Sequence, residues 1–284
     1  WISVHPAVLS MIAGLGLTVK PGKIQCQKFE ATSRHYFLRM GLFKLLNIPS
    51  DIVIKEHEPA GRFIPLTQVR TAAEQTRFIT DMIPMLHLEP EQAQTLGYIF
   101  SELIRNVIEH AEAENGALLC AQYYKKSNSI RIGIADTGCG IKSTITRSHQ
   151  AETDLDAIRL ALMPGITGTT SKEGGTEQNA GAGLFFIKSI ASVNRDFFMI
   201  YSGKGFYKLL KKNPLRSRRL NADPFVDRHT MSADMPAWPG TVVGVDITLD
   251  QTAEFSSLLD AIRDTYSSAV RQRRQEHRKK PRFS

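Results

Sequence analysis

The spacing of hydrophobic and polar residues predicts a helix followed by a β-hairpin in the first half of the chain. Residues 90–113 repeat apolar positions every three or four residues, and their first turn combines proline with acidic side chains. Residues 117–124 and 129–136 have strand composition, and the second stretch alternates isoleucine with small or polar residues. A short polar turn joins these two predicted strands.

The second half of the chain predicts further strands around a long polar loop. Residues 142–180 are polar and rich in glycine, which is typical of a functional loop. Residues 179–193 predict a glycine-rich turn that leads into a helix, residues 197–210 a second hairpin and residues 240–249 an alternating strand. This order predicts an α+β fold, with a mixed, mostly antiparallel sheet and helices on one face.

The N-terminal part has a pattern of its own. Residues 24–29 and 51–55 have the composition of short strands, residues 32–46 predict a helix, and residues 69–86 predict another. The predicted organisation is an N-terminal α/β segment at 1–68, a second domain at 69–255 and a C-terminal helix with a basic tail at 256–284.

Composition and cysteine spacing predict a globular protein of a reducing compartment. The 284 residues are 42% hydrophobic, and the longest apolar run, residues 7–19, is shorter than the roughly 20 residues that span a bilayer. Cys26, Cys120 and Cys139 are scattered and have no CxxC spacing, which disfavours a structural zinc site. We therefore expect a cytoplasmic protein with no membrane association.

The net charge of +8 is concentrated in two segments. Residues 204–219 contain seven basic residues and no acidic one, and residues 271–282 contain seven basic residues and one acidic residue. Such runs can bind the phosphate backbone of nucleic acid. They are also common in solvated loops and tails, so both interpretations stay open.

The helix predicted at 90–113 carries a carboxylate and an amide one turn apart. On a helical wheel Glu102 and Asn106 lie opposite the apolar stripe. Such a pair can hold a water near a phosphate while the amide oxygen ligates Mg²⁺, which prefers oxygen ligands. An ordinary polar outer face would explain the same pattern.

Two glycine-rich turns have matching chemistry. Asp136 ends a predicted strand, where it could accept a hydrogen bond from an exocyclic amine such as adenine N6, and Gly138 and Gly140 would let the backbone approach a flat ring. The GAG at 181–183 opens a helix near Leu184, where backbone N–H groups suit anionic oxygens. Taken singly, each is a common turn, and neither forms a GxxxxGK[ST] or GxGxxG phosphate loop.

Taken together, these motifs resemble the GHKL superfamily, which includes gyrase, heat-shock chaperone, histidine kinase and mismatch-repair ATPases. The resemblance rests on ExxxN on a helix, DxGxG after a strand, a long loop ending in GxG before another helix, and a late GT strand. It covers roughly residues 90–250 and implies a Bergerat-type α/β sandwich that binds ATP and Mg²⁺.

The resemblance implies a role for each matching position. Glu102 resembles the general base that activates water, Asn106 the Mg²⁺ ligand and Asp136 the carboxylate that reads adenine. Residues 142–180 would be the ATP lid. The other implied nucleotide contacts are Gly138, Gly140 and Ile141 beside the base, Lys172 at a terminal phosphate, Gly181, Gly183 and Leu184 at the phosphates, and Thr241 in the hydrogen-bond network of Asp136.

Three functions are compatible with these motifs. The first is a Mg²⁺-dependent ATPase that acts as a conformational switch, read by a protein partner or a second copy. The second is a protein serine or threonine kinase, because NVIEHA at 106–111 is similar to anti-sigma-factor serine kinases and no histidine lies in a convincing phosphoacceptor motif. The third is a nucleotide-gated module that binds nucleic acid through 204–219 and 271–282. Residues 1–68 faintly resemble a domain of sulfate transporters and anti-sigma antagonists (STAS).

Overall fold

A computed structural model describes residues 4–20, 22–26, 33–49, 61–168, 170, 183–210, 220–249 and 255–279. The helices are α1 (Pro6–Leu17), α2 (Arg34–Arg39), α3 (Leu42–Leu45), α4 (Ala72–Arg77), α5 (Pro90–Asn106), α6 (Gly140–Ile145), α7 (Asp154–Ala161), α8 (Gly183–Asn194) and α9 (Phe255–Lys279). The strands are β1 (Phe63–Val69), β2 (Ala117–Tyr124), β3 (Ser129–Ala135), β4 (Phe198–Gly203), β5 (Gly205–Leu209), β6 (His229–Ser232) and β7 (Trp238–Thr248).

The chain divides into two compact units. The first comprises Trp1–Gly140 and Trp238–Asp250, and the second comprises Ile141–Ala237 and Gln251–Ser284. In the first unit β1, β2, β3 and β7 are neighbours in that order, and every pairing is antiparallel. Short turns suffice for such pairings, as in the predicted hairpin of β2 and β3.

The N-terminal helix α1 packs directly on this sheet. Its approach depends on Gly133 in β3, where an added Cβ would lie 2.1 Å from the backbone nitrogen of Ala7. The Ser10 hydroxyl donates a hydrogen bond to the Gly133 carbonyl at 3.1 Å, and Leu9 and Ala13 are fully buried. This helix therefore supplies part of the core of the first unit.

The region before α5 differs from the predicted elements. Residues 24–26 form no strand, and the remainder of the strand predicted at 24–29, like that predicted at 51–55, lies outside the described residues. The helix predicted at 32–46 is divided into α2 and α3. The prediction missed β1, and the helix predicted from residue 69 begins at Ala72, because Thr71 caps it by accepting a hydrogen bond from the Glu74 amide.

The predicted division into domains stays a prediction. Strand β1, Phe63–Val69, crosses the proposed boundary at residue 68 and pairs with β2. The resemblance of residues 1–68 to a STAS domain likewise stays a prediction. Within this range, α1 packs on the sheet of the first unit.

The second unit contains an antiparallel meander of β4, β5 and β6. The hairpin of β4 and β5 was predicted, whereas β6 falls in a proline- and charge-rich stretch where no strand was predicted. A buried ion pair links Lys188 of α8 to Asp227, with Nζ 2.9 Å from Oδ2 and each side chain 1% exposed. This pair ties α8 to the segment that precedes β6.

The predicted fold class is confirmed. The described residues combine helices with strands in antiparallel pairings, which is the arrangement expected of an α+β sandwich of the GHKL type. Among the helices that the structure describes, none is both long enough and apolar enough to cross a bilayer.

Candidate functional site

Asp136 follows β3 directly and is fixed at its backbone as well as at its side chain. Its N–H donates to the carbonyl of Thr241 at 2.9 Å, and its own carbonyl accepts from the indole Nε1 of Trp238 at 3.0 Å. The backbone N–H of Gly138 donates to Asp136 Oδ1 at 2.8 Å. The carboxyl is therefore held in one orientation, although the residue is only 2% exposed.

Burial raises the pKa of Asp136 to about 6, because removal from water disfavours the charged form. Backbone hydrogen bonds from Gly138 and Thr241 act in the opposite direction, since they stabilise the carboxylate. At neutral pH the carboxylate is therefore mostly ionised and can accept a hydrogen bond. Perturbed carboxyl groups of this kind are typical of binding and catalytic sites.

The turn after Asp136 packs against the end of the helix that carries Glu102 and Asn106. An added Cβ at Gly138 would lie 2.0 Å from the carbonyl oxygen of Ala111, so only glycine fits there. The backbone N–H of Cys139 donates to the same carbonyl at 2.7 Å. Two motifs that are distant along the chain therefore meet in the first unit.

The contact with the turn involves a change of helix type. α5 ends at Asn106 and continues as one π-helical turn, Val107–Ala111, which ends at Glu112 with a left-handed backbone, φ 52°. The sequence predicted an uninterrupted helix to residue 113. Single π-helical turns widen a helix locally and are frequent at functional sites.

Glu102 lies half-buried on α5 and is paired with an arginine. Arg105 Nη2 is 2.8 Å from Glu102 Oε2, and the Glu102 side chain is 12% exposed. The pKa of Glu102 is raised by burial, and the nearby carboxylate of Glu109 raises it further, whereas the charge and hydrogen bond of Arg105 lower it. A carboxylate with a raised pKa is suited to accept a proton from water.

Asn106 lies one turn beyond Glu102 and is half-buried. Its side chain makes no capping hydrogen bond to the described turn that follows, Val107–Ala111. In the described part of the chain, no group of three or more histidine, cysteine, aspartate or glutamate side chains could hold a metal ion.

Two residues of the site were missed by the sequence analysis, which singled out only Thr241 of this strand. Gly240 has φ 102°, and an added Cβ would lie 2.4 Å from Asp136 O and 2.4 Å from its Oδ1. Trp238 is buried against the Asp136 carbonyl. The available signal was the glycine between Pro239 and Thr241, since a glycine inside a strand often marks a close backbone approach.

The remaining predicted contacts are distributed as follows. Gly140, at φ 74°, opens α6, and the N–H of Ile141 donates to Ser202 Oγ at 2.9 Å. Gly183 and Leu184 open α8 in the second unit, where the sequence predicted a helix. Lys172 and Gly181 lie outside the described residues, as do positions 169 and 171–180 of the predicted lid.

The comparisons with known proteins identify one family. A family model described as a histidine kinase-like ATPase domain matches residues 65–194, which run from β1 to the end of α8. No curated protein matches the chain. The matched range contains Glu102, Asn106 and Asp136, and it begins before the roughly 90–250 that the sequence motifs covered. Residues 65–194 of this chain belong to the histidine kinase-like ATPase domains of the GHKL superfamily.

Proposed function

We propose that this protein binds ATP with Mg²⁺ and hydrolyses it, as a conformational switch that a protein partner or a second copy reads. The proposal rests on Asp136, which is buried and is hydrogen-bonded at its backbone and at its side chain. The turn that follows Asp136 packs on Ala111. A buried carboxylate with its backbone groups already paired is available to a ligand that donates a hydrogen bond.

Adenine suits this site because its 6-amino group is such a donor. Gly138 and Gly240 let the backbone pack closely around this carboxylate, because a Cβ at Gly138 would meet the Ala111 carbonyl and a Cβ at Gly240 would meet Asp136 itself. The Thr241 backbone pairs with Asp136 and stabilises its carboxylate, which favours the supporting role that the resemblance implies. A purine with a 6-oxo group would instead place an acceptor against the carboxylate and bind more weakly.

Glu102 and Asn106 account for the chemistry of the proposal. Glu102 would accept a proton from the water that attacks the γ-phosphate, and Arg105 would keep its carboxylate oriented. The amide oxygen of Asn106 would hold Mg²⁺, which when bound neutralises charge on the phosphates. The roles of Gly140, Ile141, Lys172, Gly181, Gly183, Leu184 and the lid at 142–180 remain predictions from the resemblance.

Nucleotide binding is tested by calorimetric titration of the full chain with Mg·ATP. Asp136→Ala should weaken binding by about 10- to 100-fold, since a hydrogen bond to a charged group contributes about 1.5–3 kcal/mol. Asp81→Asn, which alters an exposed aspartate of the same unit, is the matched control and should bind as the wild type does. Equal affinity of Asp136→Ala and wild type would contradict the proposal.

Hydrolysis is tested by phosphate release from radiolabelled ATP. Glu102→Gln should retain ATP affinity and lose at least 100-fold in turnover, as general bases contribute about 10²–10⁴. Glu91→Gln, which changes an exposed glutamate in the first turn of the same helix, should hydrolyse ATP at the wild-type rate.

Transfer of the label to a purified antagonist protein, with slow release to water, would favour the serine or threonine kinase instead. Salt-sensitive DNA binding without turnover would favour the nucleic-acid module.

A further inference from the structure

Trp238 connects the N-terminal helix to Asp136. The indole is 5% exposed, and its Nε1 donates to the Asp136 carbonyl at 3.0 Å. On α1, an added Cβ at Gly14 would lie 3.7 Å from Cζ2 of this indole and 3.4 Å from Cγ2 of Thr137, the residue after Asp136. At Gly14, α1 therefore lies so near the indole and the chain segment that the indole holds that an added methyl group would touch both.

α1 is itself fixed to β3, the strand that precedes Asp136. Gly133, three residues earlier in β3, admits the backbone of Ala7 and accepts the hydroxyl hydrogen of Ser10. At the beginning of the helix, His5 Nε2 lies 3.0 Å from Asp246 Oδ1. The helix is thus attached to the sheet at two places besides its contact with Trp238, and it cannot shift without disturbing the end of β3.

We propose that Trp238 is a positioning residue for recognition of the base, and that α1 holds its indole in place, so that the N-terminal helix forms part of the base-reading site. The inference rests on the proposed function, because it assigns to Asp136 the recognition of an exocyclic amine. It adds a specificity-determining residue and a helix that the matched range, residues 65–194, does not include.

Trp238 can affect recognition of the base because hydrogen bonds fix both the backbone and the carboxyl of Asp136. Its N–H is held by Thr241 and its carbonyl by Trp238, so both peptide groups that flank its Cα are fixed. The carboxyl can then turn only about its own side-chain bonds, and Gly138 restricts that motion. Loss of the indole N–H would free the peptide group after Asp136, and the orientation of the carboxyl would be less well defined.

The test compares two nucleotides that differ only in the group that Asp136 would read. ATP carries the 6-amino group, and purine riboside triphosphate lacks it. At position 238, Trp238→Phe and replacement of the tryptophan by 3-benzothienylalanine both remove the N–H, and the second keeps the shape of the indole. We expect ATP affinity to fall about 5-fold and affinity for purine riboside triphosphate to stay within about 2-fold of wild type, which corresponds to one hydrogen bond.

The contribution of α1 is tested at Gly14. Gly14→Ala adds a methyl group that meets only ordinary contacts at 3.4–3.7 Å, so its discrimination between the two nucleotides should equal that of the wild type. Gly14→Leu must displace Thr137 or the indole and should lower the discrimination about as much as Trp238→Phe, with the tryptophan still present. Circular dichroism identifies variants that fail to fold. If Gly14→Leu is one of them, Gly14→Val decides for α1, because its two methyl groups extend beyond the Cβ and must also displace a neighbour; the benzothienylalanine protein decides for Trp238.

The outcomes distinguish failure of this inference from failure of the proposed function. Wild-type protein that binds neither nucleotide would overturn both. If the wild type prefers ATP over purine riboside triphosphate and the 3-benzothienylalanine protein has the same preference, only the role of Trp238 is overturned. An equal loss of affinity for both nucleotides in that protein would show a merely structural role and would also overturn it. If Gly14→Leu discriminates as well as Gly14→Ala does, α1 is not part of the base-reading site.

Discussion

The backbone N–H of Cys139 donates to the carbonyl of Ala111 at 2.7 Å, and this bond joins two motifs that the sequence analysis found separately. Ala111 ends the π-helical turn after Asn106, and Cys139 lies in the turn after Asp136. Gly138 makes the bond possible because its missing side chain leaves room for the Ala111 carbonyl. The helix with the predicted general base and the turn with the predicted base-reading carboxylate therefore share one backbone contact.

Gly138→Ala should destabilise the protein and abolish ATP binding. An added methyl group would lie 2.0 Å from a backbone oxygen, so the turn or the helix end must move. We expect a loss of about 3 kcal/mol in the free energy of unfolding, measured by urea titration, because backbone clashes belong to the severe class of substitutions.

Gly97→Ala on α5 is the matched control for this change. Its added methyl group would meet only Ile83 Cδ1 at 3.8 Å and Ile79 Cγ2 at 3.9 Å. Because alanine favours the helix over glycine, this variant should be as stable as the wild type or up to about 1 kcal/mol more stable. Equal stabilities of the two variants would contradict the close contact at Gly138.

Asp136→Asn should stabilise the nucleotide-free protein at neutral pH while it weakens ATP binding. The pKa of Asp136 rises from 3.8 to about 6 on folding, so the native state holds more protons between these pH values. The contribution of the Asp136 carboxyl to the free energy of unfolding is fully present below pH 4, where the group is protonated, and is lost as the pH rises through 6. The maximum effect at pH 7.5 is about 3 kcal/mol, at 1.36 kcal/mol per pKa unit.

Urea unfolding of wild type and Asp136→Asn from pH 4 to pH 8 measures this effect. The advantage of the variant should grow between pH 4 and pH 6.5 and then level off. Asp81→Asn controls for the loss of an exposed aspartate side chain. A difference between wild type and Asp136→Asn that stays constant over the whole range would show that Asp136 is not desolvated in the native state.

Preference for ATP over purine riboside triphosphate should decrease at acidic pH. Since the pKa of Asp136 is about 6, roughly nine tenths of the free protein carries a protonated Asp136 at pH 5. The ratio of the two affinities should therefore fall up to about tenfold from pH 7.5 to pH 5. Titration of the triphosphate cancels in this ratio, so a ratio independent of pH would exclude Asp136 as the residue that reads the amine.

Arg105→Gln should move the acid limb of the rate profile to higher pH. Burial and Glu109 raise the pKa of Glu102, and Arg105 opposes this rise from 2.8 Å. Without the guanidinium the pKa of Glu102 rises further, so the general base becomes protonated at a higher pH. Phosphate release from pH 5 to pH 9 measures the shift, and Arg77→Gln, at the exposed end of α4, should leave the profile unchanged.

Lys188→Met should strongly destabilise the chain, because Asp227 would keep a buried charge without its ammonium partner. The pair has Nζ 2.9 Å from Oδ2, and both side chains are 1% exposed. Breaking such a pair costs about 3–5 kcal/mol, whereas replacing both members by apolar residues is often neutral. The double variant Lys188→Met with Asp227→Leu should therefore unfold at a higher urea concentration than Lys188→Met alone.

Local patterns predicted most elements that lie near the site. The helix of Glu102 and Asn106, the hairpin of β2 and β3, and the start of α8 were predicted from periodicity and turn residues, which are properties of neighbouring positions. Strand β1 was missed because it contains Pro65 and ends where the pattern changes to helical, so its extended character depends on its pairing with β2.

By itself, the sequence determined the fold class and the superfamily, because hydrophobic spacing and the order of short motifs are written along the chain. Only the tertiary structure decided that Trp238 and Gly240 lie against Asp136, that Ala111 meets Gly138, and that α1 packs beside them. These contacts join residues up to 224 positions apart, such as Gly14 and Trp238. No local pattern specifies such partners, since the choice depends on which distant surfaces bury one another when the core closes.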